Sequence, residues 1–363
     1  MSAVGCYSWL WRSDLEVTEK QGLIAPRGRE ATVGPVSRMR VSGRRLSLAR
    51  RSILMGAALS LLALCTNGAS CNGAGSELVR LDPATGDRAD SIDLGDPTRI
   101  GHLAIGNGKV WLAACGLVQI DIDQAEIVRS NDDPAACGPI AYGVGAVWRV
   151  LGRELIKLDP STGEQADARL PGRVDADVVT EGLDLAAAPE GVFVANPSDG
   201  TVTRFGPGLN VMRRVRLPLA GRGYWVRAMA IATGPGALWV SDEHARSLYG
   251  LDPRSLALER RLRLPDRPRD IVIAGQAVWV ATDRGRIVSV DSRSGKTIHS
   301  VDLGSGSLSH VAAGDGAIWV TSYEDDAVFR VSARDPQPRE LEVHQPAGIA
   351  VNGRQVWVSA VDE

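Results

Sequence analysis

The sequence is short of net charge, of late hydrophobic runs and of cysteine. Lys and Arg total 41 against 43 Asp and Glu, a formal charge of -2. That balance gives no reason to expect nucleic acid or an anionic membrane surface as a partner. After residue 66 no stretch is long and apolar enough to cross a bilayer. The mature chain is therefore expected to carry no integral span. Only five cysteines occur, three of them (Cys6, Cys65 and Cys71) before the segment that reads as folded. With 44% hydrophobic and 23% charged residues the composition is that of a soluble globular protein.

One phrase recurs. Gly316-Ala317-Ile318-Trp319-Val320 is repeated in close form at Trp111, Trp148, Trp239, Trp279 and Trp357, and at Phe193 with Phe for Trp. The intervals between successive aromatics are 37, 45, 46, 40, 40 and 38 residues, read directly from those positions. Short alternating runs at a period near 40 indicate propeller blades of four strands. Each aromatic is large enough to fill much of the space between blades, burying on the order of 200 Å². A second phrase marks hairpin turns at Asp82-Pro83, Asp159-Pro160, Asp252-Pro253 and Asp291-Ser292. Pro presets one dihedral, Asp bonds the turn backbone and Gly takes the positive φ, so these carboxylates are assigned no chemistry.

The two ends of the repeat are incomplete. Third-strand residues from Leu78 have no inner strands before them, and Ile349–Val358 is an inner pair with nothing after it. Together they make one blade. The expectation is an all-β, seven-bladed propeller over residues 76–363, with four-stranded antiparallel blades. Its N-terminal strands complete the C-terminal blade, which removes the free edges of an open sheet.

Residues 1–38 show no repeat and no period. They read as a disordered tail or as a mis-assigned start, the second favoured because residues 39–71 form a whole export signal. Arg40, Arg44, Arg45, Arg50 and Arg51 make its basic part, and Ile53–Leu64 its apolar part. Arg50-Arg51-Ser52-Ile53-Leu54 resembles a twin-arginine motif with Ala49 in place of the usual Ser. A general secretory signal is the alternative. Cys71 after Ala69-Ser70 offers a lipidation point, with simple cleavage nearby as the other reading. The implied location is the periplasm or cell surface.

Inner strand, glycine turn, Val-Trp-Val and an Asp-Pro-x-Thr-Gly hairpin together resemble the YVTN and virginiamycin-B-lyase-like group of seven-bladed propellers. The resemblance covers roughly residues 77–363 and rests on fold motifs, which specify activity weakly. It implies ligand binding at a channel mouth and, for the lyases, His and Glu with magnesium. Here the second strands end in Ser241-Asp242, Thr282-Asp283 and Ser322-Tyr323, so the Glu is out of register. A quinoprotein would need more blades and adjacent cysteines.

The mouth residues follow from comparing blades. Before the inner strands stand His102, Pro139, Asp184, Arg227 or Ala228, Asp270, His310 and Gly348; after the second strands stand Asp242, Glu243, His244, Asp283, Tyr323 and Glu324, among others. His102, His310, Asp184 and Asp270 are the catalytic candidates, with a divalent cation as the cofactor they would hold. The bland alternative is that wet loops carry polar residues. The two longest intervals add residues 171–183, with Arg173, and 219–228, with Arg222, Tyr224, Trp225 and Arg227. An off-pattern Trp beside arginines fits a recognition surface; loop drift is the alternative. The leading functional expectation is a monomeric binding scaffold for a protein or small ligand, without cofactor. A metal-dependent lyase or hydrolase is the competitor. Cys115 and Cys137 lie in loops expected on one face of neighbouring blades, and export would let them pair. Thiol titration of the denatured mature protein should then find neither of them free; two free thiols would exclude the bridge.

Overall fold

A computed structural model describes residues 75–362, apart from 96–98, 115, 133–137, 176–181, 219–228, 235 and 354. The expected leader, export signal and lipidation point, and the Cys115–Cys137 pair, lie outside the described residues. The described residues form strands and turns with no helix, so no helix among them is long and apolar enough to cross a membrane.

Seven four-stranded antiparallel sheets follow one another around a ring. Blade 1 holds β3 (His102–Gly106), β4 (Lys109–Ala113), β5 (Gly116–Asp121) and β6 (Glu126–Asp132). Blade 2 holds β7 (Ile140–Gly143), β8 (Ala146–Leu151), β9 (Glu154–Leu158) and β10 (Gln165–Arg169). Blade 3 holds β11 (Asp184–Ala188), β12 (Gly191–Asn196), β13 (Thr201–Phe205) and β14 (Val211–Arg216). Blade 4 holds β15 (Ile231–Gly234), β16 (Ala237–Asp242), β17 (Ser247–Leu251) and β18 (Leu258–Arg263). Blade 5 holds β19 (Pro268–Ala274), β20 (Ala277–Thr282), β21 (Arg286–Asp291) and β22 (Thr297–Asp302). Blade 6 holds β23 (Val311–Gly314), β24 (Ala317–Ser322), β25 (Ala327–Ser332) and β26 (Pro338–Glu342). Blade 7 joins the two ends of the propeller in the order β2 (Arg88–Asp93), β1 (Ser76–Leu81), β28 (Val356–Val361) and β27 (Ile349–Val351). The pairing of Ser76 with Val361 through Leu81 with Val356 is the ring closure read from the half-blades.

The first strand of each blade lines the channel, and each first strand neighbours that of the next blade, with β27 beside β3. The second strand is buried on both faces, as in β12, β24 and most of β20. The fourth strand is exposed, as in β14 and β22.

The recurring aromatic is the plug between blades. Trp111, Trp148, Trp239, Trp279, Trp319, Trp357 and Phe193 are all at most 2% exposed. Each packs into the following blade: Trp319 lies among Val79, Val356 and Val358 of blade 7, and Trp357 among Val110, Leu112 and Val118 of blade 1. Phe193 does the same against Leu238, Val240 and Tyr249 of blade 4. The Asp turns close the hairpins at the far end from the inner-strand starts. Asp159 accepts the N–H groups of Ser161 at 2.8 Å and Thr162 at 3.0 Å. The hydrogen bond from the Ser161 hydroxyl, then those two from the backbone, lower its pKa to about 2.

Trp319→Ala removes the plug between blades 6 and 7. It should cost about 3–5 kcal/mol in denaturant unfolding, against little change for Arg334→Ala in an exposed turn. Equal midpoints would overturn the plug assignment.

Candidate functional site

The first strand of a blade begins, and its second strand ends, on the same face of the ring. The residue just before the first inward apolar position forms a wreath around that opening. Register assigns it as His102, Pro139, Asp184, Ala230, Asp270, His310 and Gly348 in blades 1 to 7. Blade 4 differs from the sequence expectation. Its wreath residue is Ala230 and not Arg227 or Ala228, because Ile231, and no earlier residue, pairs with Val240. Both Arg227 and Ala228 lie outside the described residues.

The four catalytic candidates are brought together electrically. The His102 and His310 rings meet edge to face with centroids 4.9 Å apart. They are two blades apart in the ring, and blade 7 between them presents only Gly348. A Cβ there would lie 1.9 Å from the Gly101 carbonyl oxygen, so glycine is what lets blades 7 and 1 close up at this level. His310 Nδ1 is 3.5 Å from Asp270 Oδ2. Burial, then the neighbouring His310, lowers the His102 pKa to about 3, with Asp270 pulling it the other way. Burial, then the charge of Asp270, raises Asp184 to about 8. At neutral pH His102 is therefore uncharged and Asp184 holds a proton.

Both aspartates are also structural clasps. Asp184 accepts the N–H of Leu185 at 2.8 Å and, from the next blade, that of Ile231 at 2.8 Å. Asp270 accepts the N–H of Ile271 at 2.7 Å and, from the next blade, that of Val311 at 2.9 Å. The partner opposite each on the second strand is alanine, Ala195 and Ala281. In blades 6 and 7 the second strand instead carries a hydroxyl at that position, and the hydroxyl makes the link. Thr321 accepts the His310 N–H and donates to the Ala347 carbonyl of blade 7. Ser359 accepts the Gly348 N–H and donates to the Gly101 carbonyl of blade 1. A carboxyl on strand one and a hydroxyl on strand two are thus two solutions to one need, a polar bond across the blade boundary, at four of the boundaries.

The remaining candidates are spread along the rim. Asp242 is buried and accepts the Ala245 N–H at 2.9 Å, with the Tyr249 hydroxyl 3.5 Å from its other oxygen. Asp283 accepts the Arg267 N–H at 3.0 Å. The Tyr323 hydroxyl donates to Gln345 Oε1 at 3.0 Å. His244 and Glu324 are exposed. Exposed Arg173 pairs with Asp175, and its carbonyl accepts from Asn196. Arg222, Tyr224, Trp225 and Arg227 lie outside the described residues.

Sequence reasoning named Glu243 at the mouth but not its ion-pair partner Arg269, 2.9 Å away across blades 4 and 5. It also passed over Asp325, which accepts from the Ser305 and Ser322 hydroxyls and the Gly306 N–H. Glu243 and Asp325 sit on this face in turns, and Arg269 in β19, with no repeat phrase to mark them. Among the described residues, no three His, Cys, Asp or Glu side chains converge on one point at metal-ligand distance.

No family model matches the chain, and no curated protein matches it. Among solved structures it is similar to the computationally designed Ika8 protein, at 13% identity and a TM-score of 0.53, over 73% of this chain and 97% of that one. It is also similar to BamB from Moraxella catarrhalis, at 13% identity and a TM-score of 0.52, over 77% of this chain and 91% of that one. At that identity the likeness is one of fold.

The two shifted groups set a pH dependence. Folded Asp184 keeps its proton up to about 8 while the unfolded group releases it near 3.8, so its contribution to stability falls as pH rises between those values. Unfolded His102 takes up a proton near 6.5 while the folded group stays neutral to about 3, so its contribution falls as pH drops through that window. Between about 4 and 6.5 the two linkages oppose each other; above 6.5 Asp184 acts alone. Urea unfolding should show the wild type losing stability from pH 6.5 to 8 relative to Asp184→Asn. Parallel profiles would refute the raised carboxyl.

Proposed function

We propose that this propeller is a binding scaffold that receives a protein segment or small ligand at the mouth of its channel and performs no chemistry itself. One observation carries this reading. The polar groups best placed for catalysis, Asp184 and Asp270, are engaged by backbone N–H groups of their own and the next blade. What the mouth then offers a visitor is His102 and His310 on one side of the wreath, and rim loops bearing His244, Tyr323 and Glu324. Loops held on a rigid ring suit recognition. The fold motifs support placing the chain in the YVTN-like group; the Arg50-Arg51 motif and the apolar run after it support an exported monomer of the periplasm or cell surface, lipid-anchored at Cys71 or cleaved nearby. In this reading Arg222, Tyr224, Trp225 and Arg227 supply an aromatic anchor with its cations, and Arg173, Asp242 and Asp283 are further contacts.

A second reading has its own observation. The contact of His310 with Asp270 and of His102 with His310 is a carboxylate–imidazole–imidazole series, the arrangement a general base needs for orientation. It supports a hydrolase or lyase.

Affinity capture from a cell-envelope extract distinguishes the two. Wild type should retain a partner that His102→Ala/His310→Ala and Trp225→Ala each lose. Equal recovery by all three proteins would count against the mouth, and turnover of a captured small molecule by wild type alone would favour the enzyme.

A further inference from the structure

The outer rim of the ring is not uniform. Five of the fourth strands carry acids or mixed charge: Arg88–Asp93 reads RADSID, Glu126–Asp132 EIVRSND, Gln165–Arg169 QADAR, Thr297–Asp302 TIHSVD and Pro338–Glu342 PRELE. Two adjacent blades break the pattern, with VMRRVR in β14 and LERRLR in β18. A chain of net charge -2 thus concentrates arginine on neighbouring edges of blades 3 and 4.

Three of these arginines, Arg213, Arg261 and Arg263, project on the sides of β14 and β18 that border the boundary between blades 3 and 4. Val215 packs into the core between blades 3 and 4, so Arg213, two residues away, projects on that same side of β14. The Arg261 guanidinium lies 5.5 Å above the Tyr249 ring, which belongs to that core. Arg263, two residues on, shares its side of β18. All three are exposed. Among the described residues no carboxylate pairs with them; Glu259 turns to Arg260 at 3.5 Å.

Beside them the apolar residues Val211 and Met212 are each 49% exposed and Leu258 is 43% exposed. β14 and β18 each pair on one side only, so their outward backbone edges are unpaired within their sheets. A purely protective role against edge-to-edge association would be met by mixed charges, and the other blades use those. Arginine beside exposed methionine and valine on an open strand edge has the composition of a protein contact and the backbone of a strand acceptor.

We propose that the rim of blades 3 and 4 docks an acidic, extended segment of a partner protein, which adds as a further strand to β14 or β18. Its carboxylates meet Arg213, Arg261 and Arg263, and its alternate apolar residues cover Val211 and Leu258. This surface is separate from the mouth.

The probe is a fluorescent peptide of about ten alternating Glu and Val residues, read by anisotropy on the full chain. Wild type should bind it, and binding should weaken between about 0.05 and about 0.3 M salt. Arg213→Glu/Arg261→Glu/Arg263→Glu should weaken it about tenfold or more. Arg213→Gln/Arg263→Gln, which leaves the Arg261–Tyr249 stack in place, should weaken it by less. Arg169→Glu on the outer strand of blade 2 should bind as wild type does. Unchanged affinity in the triple variant, or equal loss with Arg169→Glu, would overturn the site. Failure of wild type to bind the peptide, or its binding phosphatidylglycerol vesicles more tightly than the peptide, would overturn the protein partner.

Discussion

The boundary between blades is the constraint on which the rest of this molecule depends. A four-stranded sheet of this length cannot bury its own faces, so each must be covered by its neighbours. The covering has two layers. Deep in the boundary, an aromatic from the second strand enters the following blade, as Trp319 does against Val356 and Val358. At the mouth, a polar bond crosses from blade to blade, supplied by Asp184, Asp270, Thr321 or Ser359. The aromatic provides area and the polar bond provides register, since only one alignment of neighbouring first strands satisfies it.

This arrangement explains why the mouth is polar and why polarity there is a poor guide to catalysis. A backbone N–H at a strand start needs an acceptor whether or not any ligand arrives. Asp184 answers that need even though burial and Asp270 make its charge costly, which is why it keeps its proton. His102 is in the complementary position, kept neutral by burial beside a second imidazole. Asp184 and His102 are therefore uncharged members of the wreath at neutral pH, suited to hydrogen bonding.

The architecture was legible because its determinants are local and repeated. Trp spacing gave the blade number, the Asp-Pro turns gave the hairpins, and the missing half-blades gave the closure that β1 and β28 make. The four wreath candidates were legible for the same reason, as departures from a repeat. Their clasping role was not, because it depends on what stands opposite. Asp184 faces Ala195 and Asp270 faces Ala281, and that exchange with the Ser or Thr of other blades is visible only once cross-strand register is known. Blade 4 was misplaced at its start because the 46-residue interval from Phe193 to Trp239 obscures where β15 begins. The arginine rim was hidden by a whole-chain charge near zero, which averages over opposite edges.

Blade 7 alone is assembled from both ends of the propeller, and this gives the molecule an order in time. As the chain is made, β1 and β2 exist before any other strand of the propeller, yet β1 has no inner neighbour until Val356–Val361 has been added. Every other blade is contiguous in the chain and meets its strands within one repeat. The closing sheet is thus the last to be completed, and the earliest strands must wait, with one edge unpaired, for the latest. A chain shortened by only its final strand would lose more than one strand: β1 and β2 would be cut off from β27, and the ring would reopen at the place where its two ends meet.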